Sequence, residues 1–307
     1  MKHSEEQPAA APIEDTPLAR ELADLGARRR ALADVSVVLP ASTRVITVSN
    51  QKGGVGKTTT AVNLAAALAA VGARVLVIDL DPQGNASTAL GVPHTGEVPS
   101  VYDVLIGEVP LADVVQTSPE SPLLTCAPST IHLAGAEIEL VSLVAREHRL
   151  ARALEEYLRA AAEPPHVVLV DCPPSLGLLT INAFTAAAEV LIPIQCEYYA
   201  LEGLSQLLGS VQMIQRHLNP PLRVSTILLT MYDGRTRLAQ QVADEVRNHF
   251  HDEVLDTVIP RSVRVSEAPS FGQTVIAYDG ISAGAIAYRE AAVELLARNA
   301  ASQGEES

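Results

Sequence analysis

A doubly wound, mostly parallel α/β sheet flanked by helices and folded as a single domain is the architecture this sequence specifies. Short β-branched apolar runs alternate with longer Ala- and Leu-rich stretches over most of the 307 residues, the pattern of strand–helix units around a parallel sheet. Turn-forming and charged residues gather at the C-terminal ends of those runs, where such sheets place their ligands. The composition is 48% hydrophobic but only 3% aromatic, so the core of one large domain is built from Ala, Val, Leu and Ile.

Residues 1–42 are expected to be a flexible extension, residues 43–300 the folded domain and residues 301–307 a disordered tail. Within the extension, Thr16-Pro17 offers a helix start and Leu18, Leu22 and Leu25 fall on one helical face. Arg28-Arg29-Arg30 follows, either a solvated basic patch or a docking element for DNA or a partner.

The first strand, Val45–Val48, stops at Ser49-Asn50. Lys52-Gly53-Gly54-Val55-Gly56-Lys57-Thr58-Thr59 comes next and opens an Ala/Leu-rich helix, Thr58–Val71. Strand, Gly-rich turn and helix in that order make a phosphate-binding loop. Glycines let backbone N–H groups converge on phosphate oxygens, and the helix N-terminus adds partial positive charge. Lys57 then reaches the β- and γ-phosphates, and the Thr58 hydroxyl ligates Mg²⁺. A strict Walker A motif has glycine where this chain has Gln51; here an extra lysine, Lys52, stands at the mouth of the loop.

A second strand, Arg74–Leu80, runs into Asp79-Leu80-Asp81-Pro82. Carboxylates two apart point the same way from a strand, and at its C-terminal end they are placed for Mg²⁺ or its waters. Val101–Ile106 and Leu111–Val115 read as short helices, Leu123–Ala127 as a strand, and Ile131–Leu143 and Glu147–Ala162 as helices. The strand His166–Val170 closes on Asp171, the Walker B arrangement in which a carboxylate orients Mg²⁺ through water. Gly177–Ala187 is a helix, Glu189–Ile194 a strand and Leu201–His217 a helix. Leu222–Thr230 leads as a strand into the loop Met231–Arg237, followed by a helix at Leu238–Phe250. Val254–Ile259 is the last strand, Pro260–Pro269 a second arginine-bearing loop, and Ala283–Ala300 the last helix.

Several function classes are disfavoured. A net charge of −14 argues on its face against a nucleic-acid partner. Gly72 and Arg74 interrupt the longest apolar run, so none reaches transmembrane length. The acidic, Pro-rich start is no secretory signal. Cys126, Cys172 and Cys196 are isolated and odd in number, which suits buried thiols in a reducing cytosol. They lack the spacing of an iron–sulfur carrier.

KGGVGKTTTAVNLA, DLDPQGNAST, VDCPPSLGLLTINA, QCEYYALEGLSQLL, LLTMYDGRTRLAQQV and VIPRSVRVSEAPSFGQ together resemble the chromosomal ParA (Soj-type) partition ATPases. These belong to the deviant Walker A group, with MinD and the nitrogenase iron protein. The resemblance runs from about Arg44 to about Arg298. It implies a cytoplasmic, nucleoid-associated ATPase using ATP and Mg²⁺, with slow intrinsic turnover. It also implies an ATP-dependent homodimer that binds DNA non-specifically and is released when a ParB-type centromere-binding protein stimulates hydrolysis. A polar scaffold protein is a further candidate partner, and no membrane is involved.

Residue by residue, the resemblance gives Lys57 to the nucleotide of its own subunit and sends Lys52 across to the partner's phosphates. Gly53 lies where two backbones approach. Asp81 positions the attacking water, Asp171 and Thr58 serve Mg²⁺, and Pro260 joins the nucleotide-binding residues. Arg235 and Arg264 match DNA-contacting arginines, with Arg237, Arg247 and Arg261 as weaker candidates; loop arginines paired with Asp233, Asp244 or Glu267 are the plainer alternative. Dimerisation eases the conflict with the acidic balance. Two phosphate contacts per subunit become four, and from 50 to 200 mM salt that costs roughly tenfold for a monomer and on the order of a hundredfold for a dimer. The ParB contact is expected at the dimer seam, near Gln195–Glu202 and Leu204–Met213. The closest rival is a MinD-type membrane ATPase, but the C-terminus is acidic and weakly apolar rather than a basic amphipathic anchor. The other is a metabolic ligase of the same superfamily.

Overall fold

Alternate residues of each central strand bury on opposite faces of one sheet, and this two-sided burial sets the architecture. The computed structural model describes residues 16–33, 35–198 and 200–304. The chain divides between Ser36 and Val37 into two compact units. In the first, helix α1 (Pro17–Ala33) starts as the sequence suggests, with Thr16 Oγ1 accepting the Ala19 N–H at 3.2 Å and proline in the first turn. The expected Pro/Ala/Glu-rich stretch before it lies outside the described residues. The second unit begins at Val37, before the expected boundary at 42/43, because Val37 and Leu39 pack against its core.

The sheet holds eight strands in the order β3-β4-β2-β5-β1-β6-β7-β8. The strands are β1 (Arg44–Val48), β2 (Val75–Asp79), β3 (Gln116–Thr117), β4 (Leu124–Ala127), β5 (Val167–Asp171), β6 (Glu189–Gln195), β7 (Arg223–Tyr232) and β8 (Val254–Pro260). All pairings are parallel except that of β3 with β4. Helix α2 (Lys57–Ala70) follows β1, and α12 (Ala283–Gly304) lies beside it; both cover one face, on Ile46, Val48, Val75, Val77, Val167 and Leu169. Small α2 side chains, buried almost all round, let its backbone lie close to the sheet.

The other face carries Leu76, Ile78, Val168 and Val170 under α4 (Val101–Ile106), α5 (Leu133–Leu140), α6 (Arg149–Ala160) and α7 (Leu178–Ala186). Further along, Val190, Ile192, Ile227 and Leu229 lie under α8 (Ala200–His217) and α9 (Arg237–His249). No helix among the described residues is long and apolar enough to cross a membrane. All three cysteines are buried and unbridged.

Several short elements differ from expectation. Only a 3-10 turn, Leu111–Asp113, forms where a helix over 111–115 is expected, and β3 follows at once. Helix α5 occupies the middle of the expected 131–143 helix. The 260–269 loop is partly helical, as α10 (Val263–Glu267) and a 3-10 turn at Ala268–Phe271 with proline in its first turn. Two further short helices, α3 (Asn85–Ala89) and α11 (Val275–Tyr278), form where no element is expected. Helix α12 runs on to Gly304, so 301–304 are helical where a disordered tail is expected; Ala, Ser and Gln are compatible with continuing the helix. Residues 305–307 lie outside the described residues.

One buried ion pair anchors the base of β1. Arg44 donates from Nε and Nη2 to the two oxygens of Glu189 at 2.9 and 2.8 Å and from Nη1 to the Leu295 carbonyl at 2.9 Å. The two side chains are only 9% and 6% exposed. Burial alone raises the Glu189 carboxyl, but the Arg44 hydrogen bonds and charge leave it below its usual 4.5. Its stabilising contribution is therefore complete above the ordinary glutamate range and is lost as pH falls through the depressed folded value. We expect Glu189→Ala to cost about 3–5 kcal/mol in urea unfolding at pH 7, because it strands a buried guanidinium. A loss below 1 kcal/mol in the unfolding curve refutes this.

Candidate functional site: a nucleotide site at the end of β1

The loop between β1 and α2 takes a left-handed path at Gly54 (φ 76°) and Gly56 (φ 89°), which glycine adopts without strain. A Cβ added at Gly53 or Gly54 meets nothing within 4 Å, so the outer side of the loop is open. The inner side is clamped: Thr230 Oγ1, on β7, donates to the Val55 carbonyl at 2.8 Å. At the loop entrance Asn50 donates from Nδ2 to the Pro193 carbonyl at 2.9 Å and accepts the Lys52 N–H at 3.0 Å.

Both loop lysines rest on protein atoms. Lys57 is buried, and its Nζ donates to the Lys52 carbonyl at 3.2 Å. Desolvation lowers its pKa from 10.5, against the opposing pull of Asp171, Asp81 and Cys172. Lys52 Nζ lies 2.7 Å from Glu197 Oε2, just past the end of β6.

Asp171 ends β5, the neighbour of β1, fully buried, and neither carboxylate oxygen has a hydrogen-bond partner among the described residues. Burial first, and the charge of Asp79 second, push its carboxyl well above the usual range. Thr58 and Lys57 oppose that shift without supplying hydrogen bonds of good geometry to it. A buried carboxylate left so unsatisfied is a ready partner for a cation or its ordered waters, so these residues fit Mg²⁺.

Asp79 does something other than the metal-shell role expected for it. It is fully buried and accepts the Asp81 N–H at 3.2 Å and the N–H and hydroxyl of Ser87 at 2.8 and 2.7 Å. Desolvation raises its carboxyl to about 6. Its oxygens hold the 81–87 turn in shape. That turn presents Asp81, half-buried, with Oδ1 accepting the Gln83 N–H at 3.0 Å.

On the other side of the loop lies a pocket of about 140 Å³, lined by Gly56, Thr59, Met231, Pro260, Ser262 and Tyr288 among others. Tyr288 is fully buried there, its phenol pushed up to about 12 by desolvation, with Thr60 Oγ1 3.5 Å from its hydroxyl. This adjoins the phosphate loop and suits a nucleoside base. Met231 takes the left-handed conformation (φ 50°), and its Cε lies 3.8 Å from where a Gly56 Cβ would stand. Of these lining groups the sequence singled out Pro260 and the loop itself. Met231 lies in one of the family-like stretches but without a nucleotide role assigned from the sequence, Tyr288 lies in none, and only the fold brings both to the pocket.

An AAA domain family model matches residues 43–224. The sporulation initiation inhibitor protein Soj of Bacillus subtilis is 53% identical over 255 residues, covering 83% of this chain and 98% of that protein. The chromosome partitioning protein ParA of Caulobacter vibrioides is 53% identical over 255 residues, 83% of this chain and 94% of that one. The chain belongs to the Soj/ParA family of chromosome-partitioning ATPases. Among solved structures, cobyrinic acid a,c-diamide synthase from Mycobacterium smegmatis, with bound ADP and magnesium, is 41% identical. It covers 83% of this chain and 94% of that one, with a TM-score of 0.71. The septum site-determining protein MinD of Pyrococcus horikoshii, complexed with Mg-ADP, is 25% identical and covers 82% and 95%, with a TM-score of 0.65.

In this Soj/ParA-family chain the arginines expected to touch DNA follow β7 and β8, and both are ion-paired. Asp233 accepts Arg235 Nε and Nη2 at 2.8 Å each and the Arg235 N–H at 3.1 Å. These bonds hold the Asp233 carboxyl down at about 2. Arg264 pairs with Glu267 at 3.1 Å and with Asp279 at 3.4 Å.

Proposed function

We propose that this chain is an ATP-driven partition switch. Two copies close face to face around ATP and Mg²⁺, the dimer holds DNA non-specifically on the nucleoid, and a ParB-type partner stimulates hydrolysis and release. The observation that carries this reading is the open outer side of the glycine loop, with Lys52 at its rim and no other part of the described chain over Gly53 or Gly54. A second loop of the same kind can approach there.

The chain's own residues then divide the work. Lys57 leaves the Lys52 carbonyl for the β- and γ-phosphates of its own nucleotide, and Lys52 reaches the partner's. Thr58 and Asp171 hold the metal, Asp171 through water, and Mg²⁺ when bound neutralises charge on the phosphates. Asp81 orients the attacking water. The pocket around Met231, Pro260 and Tyr288 takes the base. Without an arginine finger, intrinsic turnover is slow, well below the ~1–100 s⁻¹ of kinases, and awaits the partner and DNA.

Oligomer mass in solution, measured with ADP, ATP and a non-hydrolysable ATP analogue plus Mg²⁺, tests the reading. The expected result is a dimer with ATP or its analogue and a monomer with ADP. A monomer in every state, with or without DNA, overturns it.

For DNA, Arg235 and Arg264 are the contacts we infer, each in competition with its own carboxylates. Arg235→Glu should leave the ATP-dependent dimer intact and lower co-sedimentation with random-sequence DNA about tenfold or more at low salt. Asp233→Asn, which removes the negative charge beside the guanidinium, should raise it. Equal retention by both variants moves the DNA surface elsewhere.

A second reading, amide synthesis on a carboxylic acid, takes its support from the name of the 41% identical diamide synthase structure. The partition relatives are more similar, over nearly their full lengths. ATP consumption that needs a carboxylic acid and an amide donor, and no DNA or partner, would favour it.

A further inference from the structure

Lys52 is paired within its own subunit by a partly exposed contact that is braced at both ends. Its N–H is bonded to Asn50 Oδ1 at 3.0 Å, which fixes where the side chain starts. Its Nζ meets Glu197 Oε2 at 2.7 Å, while the other oxygen, Oε1, accepts Gln195 Nε2 at 2.5 Å. The Glu197 N–H is itself bonded to the Gln195 carbonyl at 2.8 Å. Gln195 is the last residue of β6, which pairs with β1. The carboxylate is thus fixed from the strand beside the loop, on the side of β1 opposite Asp171.

We propose that Glu197 is a positioning residue for Lys52, a counter-ion that keeps the lysine in its own subunit until a partner's triphosphate outcompetes it. The inference rests on the sandwich dimer of the preceding section and adds its control. An ammonium cannot satisfy the Glu197 carboxylate and a phosphate across the seam at full strength together, so closure begins by breaking this pair. One carboxylate competes poorly with a triphosphate carrying several charges, but well enough with the empty rim of an unliganded or ADP-bound neighbour. The contact therefore suppresses closure without the γ-phosphate and tunes the ATP concentration at which closure sets in.

The chain has only three lysines, Lys2, Lys52 and Lys57, so reductive methylation of the full-length protein, read by peptide mass spectrometry, reports on Lys52 without any dimer. In the nucleotide-free chain, Glu197→Gln should raise Lys52 reactivity about two- to fivefold, the scale of an exposed ion pair. Because two such pairs break on closure, the same variant should tighten the dimer formed with the non-hydrolysable analogue by ~4- to 25-fold, the square of that factor. With Lys52→Gln already in place, adding Glu197→Gln should change the residual association no further, an outcome that a general structural effect of Glu197 does not produce.

Unchanged Lys52 reactivity overturns the proposal, and so does a dimer no tighter, or weaker, in Glu197→Gln. An effect of Glu197→Gln that persists without Lys52 overturns it as well. If neither wild type nor variant dimerises, the sandwich reading fails, and the methylation rates alone decide whether the pair holds Lys52.

Discussion

Asp171→Asn should cut Mg²⁺ affinity of the nucleotide complex by ~10- to 100-fold, the scale for losing a group that acts on a metal through bound water. The same variant should make the nucleotide-free protein more stable. In the wild type, a fully buried carboxylate with no hydrogen-bond partner among the described residues faces the equally buried Asp79. Leaving such a group unsatisfied costs about 1–3 kcal/mol, more when charged. Its folded pKa lies above the unfolded value of 3.8, so the wild type loses stability as pH rises from the ordinary aspartate range towards the folded value. The asparagine variant escapes that loss, and its advantage should widen with pH. Paired thermal melts at pH 4 and pH 7, without nucleotide or metal, check this. A variant less stable than wild type at pH 7, with unchanged Mg²⁺ dependence, means that Asp171 is a structural residue and not a metal-side one.

Asp81→Ala should retain ATP binding and ATP-dependent dimerisation while losing turnover by about a hundredfold or more, the low end for a group that prepares a nucleophile. Its geometry separates it from Asp79. The Asp79 carboxylate is occupied by Asp81 and Ser87, whereas Asp81 stands half-buried at the edge of the turn. Removing Asp81 should therefore spare the fold, and removing Asp79 should not. Phosphate release under single-turnover conditions, beside the oligomer mass of the same sample, is the measurement. Normal turnover by the Asp81 variant ends its assignment to the hydrolytic water.

Legibility in the sequence followed the range over which each signal acts. The run from Val45 to Leu64 and the strands ending on Asp79 and Asp171 carry their chemistry within a few residues, so spacing sufficed to place them. The two residues of β3 are too few to show any period, and the helices at 85–89, 263–267 and 275–278 are each under two turns. Met231 and Tyr288 are 57 residues apart and join one pocket only when β7, β8 and α12 pack. Asp79 looked like a metal ligand because strand geometry aims it with Asp81. What the pattern could not show is that Ser87, eight residues on, returns to claim it. The Lys52–Glu197 contact spans 145 positions and had no local signature.

The strand order has a consequence for how such a protein can diversify. With β1 at the middle, the acidic residues around the metal side belong to β5 and β2, to one side. Glu197 and the arginine loops follow β6, β7 and β8, and Pro260 ends β8, to the other. On the function proposed above, the metal side and the arginines assigned to DNA therefore fall to separate halves of one sheet. Under that reading, a lineage could rewrite the arginine loops while the metal side stays unaltered.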